Sequence, residues 1–351
     1  GESNLFMPAS PVQAQPSTMR LIPNSVAMKV MPMALAVEAT EKAFKAQSTE
    51  GMCSVPNRVH VLGPKEGESN LFMPGLVNHP TEPSLGIKVV NIRPANRQIK
   101  QPFLQALYTD FDPVTGVVTA CVDGGALTYL RTGASNGVAA KYLAREDSSV
   151  LCVLGLGAQG KAGAEAIMAV RDIKKVIAFD PYPGMGERYL TWLKEVAPQV
   201  EGVVVSDADE AVAQADIILT CTPSKTPLFA PSSVKPGTHI TAVGAYTPEM
   251  AEIPSETVAA AHVVVDYLEA IKVEGGDIIR AVRDGHCTWD HVVGEVGALA
   301  KGEIEGRTSP SQITMFKTVG TAVQDVVVGH EICVKAEEQN LGTVVPDLWN
   351  H

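Results

Sequence analysis

Ser149-Val-Leu-Cys-Val-Leu-Gly-Leu-Gly-Ala-Gln-Gly160 opens on an apolar run, residues 150–155, of the kind found in strands buried on both faces. Gly155, Gly157 and Gly160 follow at GxGxxG spacing, and residues 159–171 read as a helix. Each glycine has its own physical reason in such a turn. Gly155 permits the tight bend, Gly157 lets backbone approach a pyrophosphate, and Gly160 lets the helix pack closely. The helix start, with Ala158 and Gln159, offers unpaired N–H donors and the positive end of a dipole. Glycines alone are a weak signal, but the next strand ends at Asp180, twenty residues past Gly160, where a carboxylate would accept hydrogen bonds from ribose hydroxyls. Its charge would repel a 2'-phosphate, and no arginine follows it before Arg188, so NAD (NADH) is expected and NADP disfavoured. A plain strand-to-helix turn, with Asp180 as a cap before Pro181, and a different adenine nucleotide are the other readings.

Outward from this turn, short apolar runs at 176–179, 203–205, 217–220, 239–243 and 262–265 alternate with helical stretches, the rhythm of a parallel sheet. Upstream, 28–46 predicts one amphipathic helix, and 55–62, 85–92, 103–110 and 117–122 predict strands joined by the turns 112–116 and 123–125. Tight turns between consecutive strands imply a mostly antiparallel sheet. A helix is expected over 132–144. Residues 311–338 read as one long helix opened by a serine cap, packing back on the first half.

A chain of 351 residues exceeds the usual size of one core, so two domains are expected. A net charge of −11 without any basic run argues against a nucleic-acid partner. Six scattered cysteines form no CxxC or Cys/His cluster, which points away from a disulfide framework or zinc site and toward reduced thiols in the cytoplasm. No apolar run approaches the ~18 residues that a membrane helix needs, so no membrane partner is expected. The octapeptide GESNLFMP at 1–8 recurs at 67–74, and no physical account of the repeat is at hand. Residues 1–19 read as a loose tail.

Three cations stand out: Arg58 in VPNRVHV, Lys88 in LGIKVVNI and Arg131 in LTYLRTGAS. Lys88 interrupts an otherwise apolar strand, and a buried ammonium is costly unless it meets a partner or a cleft. An inward lysine paired with a carboxylate, an edge-strand lysine facing water and a site lysine are all open readings. Arg131 stands where a strand is expected to give way to a helix, and it and Arg58 could each be solvated or structural.

Together with the 71–74 stretch LFMP, the Thr115-Gly116 turn, GIKVVN, DGGALTYLRTGAS, LGLGAQG and SQITMFKTVGTAVQD, these residues resemble the ornithine cyclodeaminase and mu-crystallin family over roughly residues 19–338. The resemblance implies an α/β chain, with a Rossmann NAD-binding domain (131–311) inserted in a mixed α+β substrate and dimerisation domain (20–130 plus 312–351), and a homodimer. It implies that Arg58, Lys88 and Arg131 are the substrate-carboxylate and catalytic cations. Thr132, Ala158, Gln159, Asp180, Thr222, the turn Val243, Gly244 and Ala245, and Thr318 would contact NAD. Paired arginines suit a carboxylate, and a positioned lysine suits proton transfer at a nearby nitrogen.

One departure matters. Where cyclodeaminases carry an aspartate in a VGxD turn, VGAYTPE places Tyr246. A phenol, with an ordinary pKa near ~10, is a poor substitute for that carboxylate. The expected activity is therefore NAD-dependent chemistry on the C–N bond of an amino or imino acid: a 2-imino-acid or ketimine reductase, or an amino-acid dehydrogenase. Ornithine or lysine cyclodeamination and a non-catalytic NAD(P)H-binding, crystallin-like protein are the alternatives. Tyr246 is expected either to donate to the substrate or to pack. Asp123 reads as a structural turn residue, Glu274 and Asp277 as caps or supporting residues or as lining of the cleft, and Gln324 and Asp325 as packing or dimer contacts. The eight histidines do not cluster, so no metal is expected.

Overall fold

The computed structural model describes residues 18–65 and 67–346, so the first octapeptide and most of the expected tail lie outside the described residues. Two eight-stranded sheets carry the architecture. The first holds β1 (Met19–Ile22), β2 (Cys53–Ser54), β3 (Val59–Leu62), β4 (Ser69–Val77), β5 (Ser84–Ile92), β6 (Leu104–Phe111) and β7 (Val118–Asp123). Its order is β16-β1-β7-β6-β5-β4-β2, with β3 also on β4 and β16 (Thr343–Val345) closing the far edge. Every pairing in it is antiparallel except β1 with β7. Met19, placed in the tail by its sequence, opens the first strand.

The second sheet holds β8 (Val150–Leu154), β9 (Lys175–Phe179), β10 (Glu201–Val204), β11 (Ile217–Thr220), β12 (His239–Ala242), β13 (His262–Val265), β14 (Val292–Glu295) and β15 (Thr314–Lys317). All pairings are parallel, in the order β10-β9-β8-β11-β12-β15-β13-β14. The first five strands thus follow the 3-2-1-4-5 order of a dinucleotide-binding unit, with the reversal between β8 and β11. Along β8 the side chains alternate between two cores, Leu151 and Val153 in one, Cys152 and Leu154 in the other. With both faces covered the strand is apolar throughout, as the sequence pattern predicts.

Several elements differ from the sequence reading. The single helix over 28–46 is two, α1 (Asn24–Val30) and α2 (Met33–Gln47), because Pro32 has no N–H to continue the first and sits as the N-cap of the second. Only Val59–Leu62 of the expected strand 55–62 is extended in the sheet, and Pro56 lies in the irregular part. The strand β4, which holds most of the second octapeptide, went unpredicted. The Asp-Gly-Gly segment is no turn between strands. It starts α3 (Gly124–Leu143), with Asp123 Oδ1 accepting from Ala126 N at 2.7 Å as the N-cap. Arg131 therefore lies inside a helix rather than at a strand end. The expected helix 311–338 is β15 followed by α11 (Ala322–Glu338), opened by a Thr321–Gln324 capping box. Residues 314–317 are buried on both faces, and so short an apolar run cannot be told from helix by periodicity. They pair with β12 and β13, so this part of the segment expected in the first domain belongs to the second sheet.

The core of the first half packs α2, α3 and α11 on the sheet face that carries Tyr108 and Val122. Asp123→Ala removes the cap of α3, and a loss of about 1 kcal/mol is expected. Asp123→Asn should keep most of it, as read from urea unfolding midpoints.

Candidate active site

The glycine turn joins β8 to α4 (Ala158–Val170) at the carboxyl end of the second sheet. Gly155 has φ +97°, and a Cβ there would stand 2.6 Å from the carbonyl oxygen of Cys221, across the β8/β11 reversal. At Gly160 a Cβ would meet Gly155 O at 2.1 Å, which only close helix packing produces. A Cβ on Gly157 would meet nothing within 4 Å, so the backbone there borders open space. Asp180, just past β9, accepts from Leu156 N at 2.9 Å through one oxygen and from Tyr182 N at 3.0 Å through the other. The carboxylate therefore braces the turn as well as facing it. Near the start of α4, Gln159 Oε1 and Thr132 Oγ1 are buried polar atoms without protein partners. An uncapped helix N-terminus, a glycine bordering open space and orphaned polar atoms beside it fit a dinucleotide phosphate group.

The cations lie elsewhere, in two groups. Lys88, on β5 in the middle of the first sheet, is fully buried, and its ammonium donates to Asp325 of α11 in a close ion pair. Arg131 Nε lies 3.0 Å from the same oxygen of Asp325, and Arg131 Nη1 donates to Gln324 Oε1 at 3.2 Å. Burial first, then the neighbouring Arg131 charge, lowers the Lys88 pKa from 10.5 to about 7, while Asp325 opposes the shift. Lys88 is thus inward and carboxylate-paired, one of the readings left open by its sequence. Asp325, expected as a packing or dimer contact, is its buried partner, and Gln324, expected likewise, is a buried partner of Arg131.

Arg58 and Tyr246 sit on the wall of a cavity of about 800 Å³ between the two halves, together with His60, Met73, Tyr267 and Glu274. Arg58 Nη2 donates at 3.0 Å to the carbonyls of Val319 and Gly320 and pairs with Glu274 at 2.8 Å. Glu274 accordingly lines the cleft, one of the readings left open by its sequence. Tyr246 is 40% exposed, and burial of the rest of its ring raises the phenol pKa, so it faces the cavity as a neutral hydroxyl.

Lys88 and Arg131 do not line this cavity but lie directly behind its wall. Met73 is the cross-strand partner of Lys88, so the two side chains share one sheet face, and Met73 lines the cavity. Gly320, also on the wall, has φ +81°, and a Cβ there would stand 2.1 Å from Arg131 Nη1. The expected nucleotide contacts are likewise outside the cavity lining, apart from their neighbours Tyr246 and Gly320 to Ala322.

Two buried carboxylates went unnoticed in the sequence. Asp266 Oδ2, after β13, accepts from Thr318 Oγ1 at 2.6 Å and from the N–H groups of Val319 and Gly320 at 3.0 and 2.7 Å. Glu252 ties Thr222 to Gly244. The available signal was the acid itself, set among Ala251, Ile253 and Pro254. Among the described residues no group of three or more His, Cys, Asp or Glu converges as a metal site, and no helix is long and apolar enough to cross a membrane.

Known proteins resemble this chain in sequence and fold. A Δ1-pyrroline-2-carboxylate reductase of Bacillus cereus is 37% identical over 288 residues, covering 82% of this chain and 87% of that protein. The structure of the Thermococcus litoralis Δ1-pyrroline-2-carboxylate reductase, in complex with NADH and L-proline, is 32% identical with a TM-score of 0.89, covering 93% of this chain and 100% of that one. An archaeal alanine dehydrogenase dimer with bound NAD is 32% identical with a TM-score of 0.85, covering 93% and 99%. Residues 18–340 match the profile of one family across both sheets, and the chain belongs to the ornithine cyclodeaminase/mu-crystallin family.

Proposed function

We propose that this protein is an NAD-dependent oxidoreductase that reduces the C=N bond of a 2-imino acid, or runs the reverse dehydrogenation of the amino acid. The observation that carries the reading is the buried Lys88–Asp325–Arg131 cluster one side chain behind the wall of an apolar cavity that also holds Arg58 and abuts the nucleotide turns. The names of the relatives agree with it: a pyrroline-2-carboxylate reductase bound to NADH and L-proline, and an alanine dehydrogenase bound to NAD.

Gly155, Gly157, Ala158, Gln159 and Gly160 hold the pyrophosphate, and Asp180 takes the ribose hydroxyls. Thr132, Thr222, Val243, Gly244, Ala245 and Thr318 line the remainder of the cofactor path. When bound there, the cofactor would supply the hydride that the imine carbon takes up. Arg58 on the cavity wall, backed by the charge of Arg131 behind Gly320, receives the substrate carboxylate. Lys88, whose lowered pKa lies near neutrality, gives its proton to the imine nitrogen once the neighbouring Met73 side chain yields to the substrate, and Asp325 holds its ammonium in place. Tyr246 donates a hydrogen bond at the cavity wall where a cyclodeaminase would present a carboxylate.

A homodimer is part of this reading. Val59, Val61 and Leu107 share a sheet face through the pairings Val59–Phe72, Val61–Asn70, Phe72–Val89 and Val89–Leu107, and Leu21 joins them through Cys121 and Thr109. All four are exposed large apolar residues, on the face opposite Lys88, and a second copy would cover them. The dimer in the archaeal neighbour supports the reading. Six free cysteines suit work in the cytoplasm.

The test is NADH oxidation, followed by absorbance, with cyclic and acyclic 2-imino acids and with 2-oxo acids plus amine. Lys88→Ala should abolish turnover while NADH still binds; a variant at full rate removes Lys88 from the mechanism, and a wild type idle with every imine overturns the reading. Reduction needs Lys88 protonated, so its rate should fall as pH rises through about 7, and amino-acid oxidation, which needs the neutral amine, should rise over the same range. Asp180→Ser should narrow the preference for NADH over NADPH by at least about ten-fold, one lost or gained charge contact being worth ~1.4 kcal/mol; an unchanged ratio would exclude Asp180 from the ribose.

A further inference from the structure

Thr222 follows β11, and Gly244 follows β12, so the two turns stand side by side at the carboxyl edge of the second sheet. One fully buried side chain joins them. Glu252 Oε1 accepts from Thr222 N at 2.6 Å, and Glu252 Oε2 accepts from Gly244 N at 2.7 Å and from Thr220 Oγ1 at 2.9 Å. Both turns thus hang from the two oxygens of one carboxylate. The fit is tight: a Cβ at Gly244 would stand 2.5 Å from Glu252 Oε1 and 2.1 Å from Thr222 O.

Glu252 is held in turn by a second buried carboxylate. Asp277, on α9 (Gly276–Arg283), accepts from the N–H groups of Glu252 and Ile253 at 2.6 and 3.0 Å, and it pairs with the buried Lys317 at 3.0 Å. Lys317 ends β15 and directly precedes Thr318. The frame therefore reaches three strand ends of the sheet, β11, β12 and β15.

We infer that Glu252 is a positioning residue for the cofactor, whose ionised carboxylate sets the spacing of the Thr222 and Gly244 turns between which the nicotinamide end lies. The inference rests on the reading of these turns as cofactor contacts in the proposed function. An ionised carboxylate accepts all three donors. A protonated one offers fewer acceptor sites and must turn a hydroxyl toward groups that are themselves donors, so one turn loses its tether. Burial, and next the charge of Asp277, push the Glu252 pKa up to about 7, with Lys317 opposing. The charged or titratable groups around it are Asp277 from α9, Lys317 from β15 and the buried Cys221 thiol beside Thr222, whose own pKa is well above its ordinary value. Glu252 thus changes charge near neutral pH, as Lys88 does separately behind the cavity wall. Because the cofactor prefers the ionised form, its affinity should fall as pH drops through about 7.

The experiment measures NADH binding by fluorescence between about pH 5.5 and 8.5, a range of about 1.5 units on either side of a titration near 7. Wild type should bind more weakly at the acid end. Glu252→Gln should bind about ten-fold more weakly at pH 8, as expected for losing an acceptor to a buried N–H, and its affinity should not vary with pH. A lost cap on general stability would lower the unfolding temperature without flattening this profile. Thr220→Val removes only the hydroxyl donor, which favours the protonated acid, so its midpoint should move to higher pH; this variant carries the test if Glu252→Gln does not fold. Wild-type affinity and an unchanged profile in Glu252→Gln, or an unmoved midpoint in Thr220→Val, would overturn the inference while leaving NADH binding itself intact. A wild type without NADH affinity at any pH would overturn the proposed function and the inference with it.

Discussion

Asp325 stands between two cations that cannot be buried without it. Lys88 comes from the middle of the first sheet, Arg131 from α3 and Asp325 from α11, so one carboxylate ties three elements distant in sequence. Removing one member of such a buried group typically costs about 3–5 kcal/mol, because the remaining charges are left without water or partner. The cluster therefore constrains how α11 can sit on the sheet. It also leaves chemistry in reserve: two cationic side chains share one carboxylate, and burial brings the lysine close to losing its proton at neutral pH. Gly320 allows this arrangement to lie against the cavity, since any side chain there would displace the Arg131 guanidinium.

The second half solves a related problem with two carboxylates. Backbone N–H groups at the carboxyl ends of parallel strands have no ladder partner and must be satisfied some other way. Asp266 takes those of Val319 and Gly320, and Glu252 takes those of Thr222 and Gly244. The result is a set of turns with their main chain anchored from below. The Val319 and Gly320 carbonyls then serve Arg58, which reaches across from the first half and closes on Glu274. The walls of the cavity are largely apolar, so the few charges along them act in a medium that screens them less than water does.

Local residues made the nucleotide half readable. Gly155, Gly157 and Gly160 answer to constraints within a few residues of themselves, and the runs at 150–155 and 217–220 are apolar because both faces of each strand are covered. Such patterns survive in a one-dimensional reading. The first half was less legible. The strand at 69–77 mixes polar residues with Pro74 and Gly75, and the Asp-Gly-Gly start of α3 carries the signature of a hairpin. In the second sheet, β15 is too short an apolar run to be told from the helix that follows it. For both strands tertiary pairing overrode the local signal.

The three cations show where that boundary falls. Sequence singled out Lys88 because a charge within an apolar strand is costly, and Arg58 and Arg131 because they match the family's pattern. It could not say what the Lys88 charge meets, since the partner of Lys88 lies 237 residues away on another element. Asp325, Gln324, Glu252 and Asp266 looked unremarkable in the chain because an acid on a helix or in a loop is ordinarily solvated. By itself the sequence determined the glycine turn and the alternation of its parallel strands, set by short-range sterics and two-sided burial, and it marked Lys88 through the cost of burying charge, while family resemblance added Arg58 and Arg131. Which of those cations faces the cavity, which lies behind its wall and which carboxylate holds each one were decided only in three dimensions, where long-range packing settles what every buried charge meets.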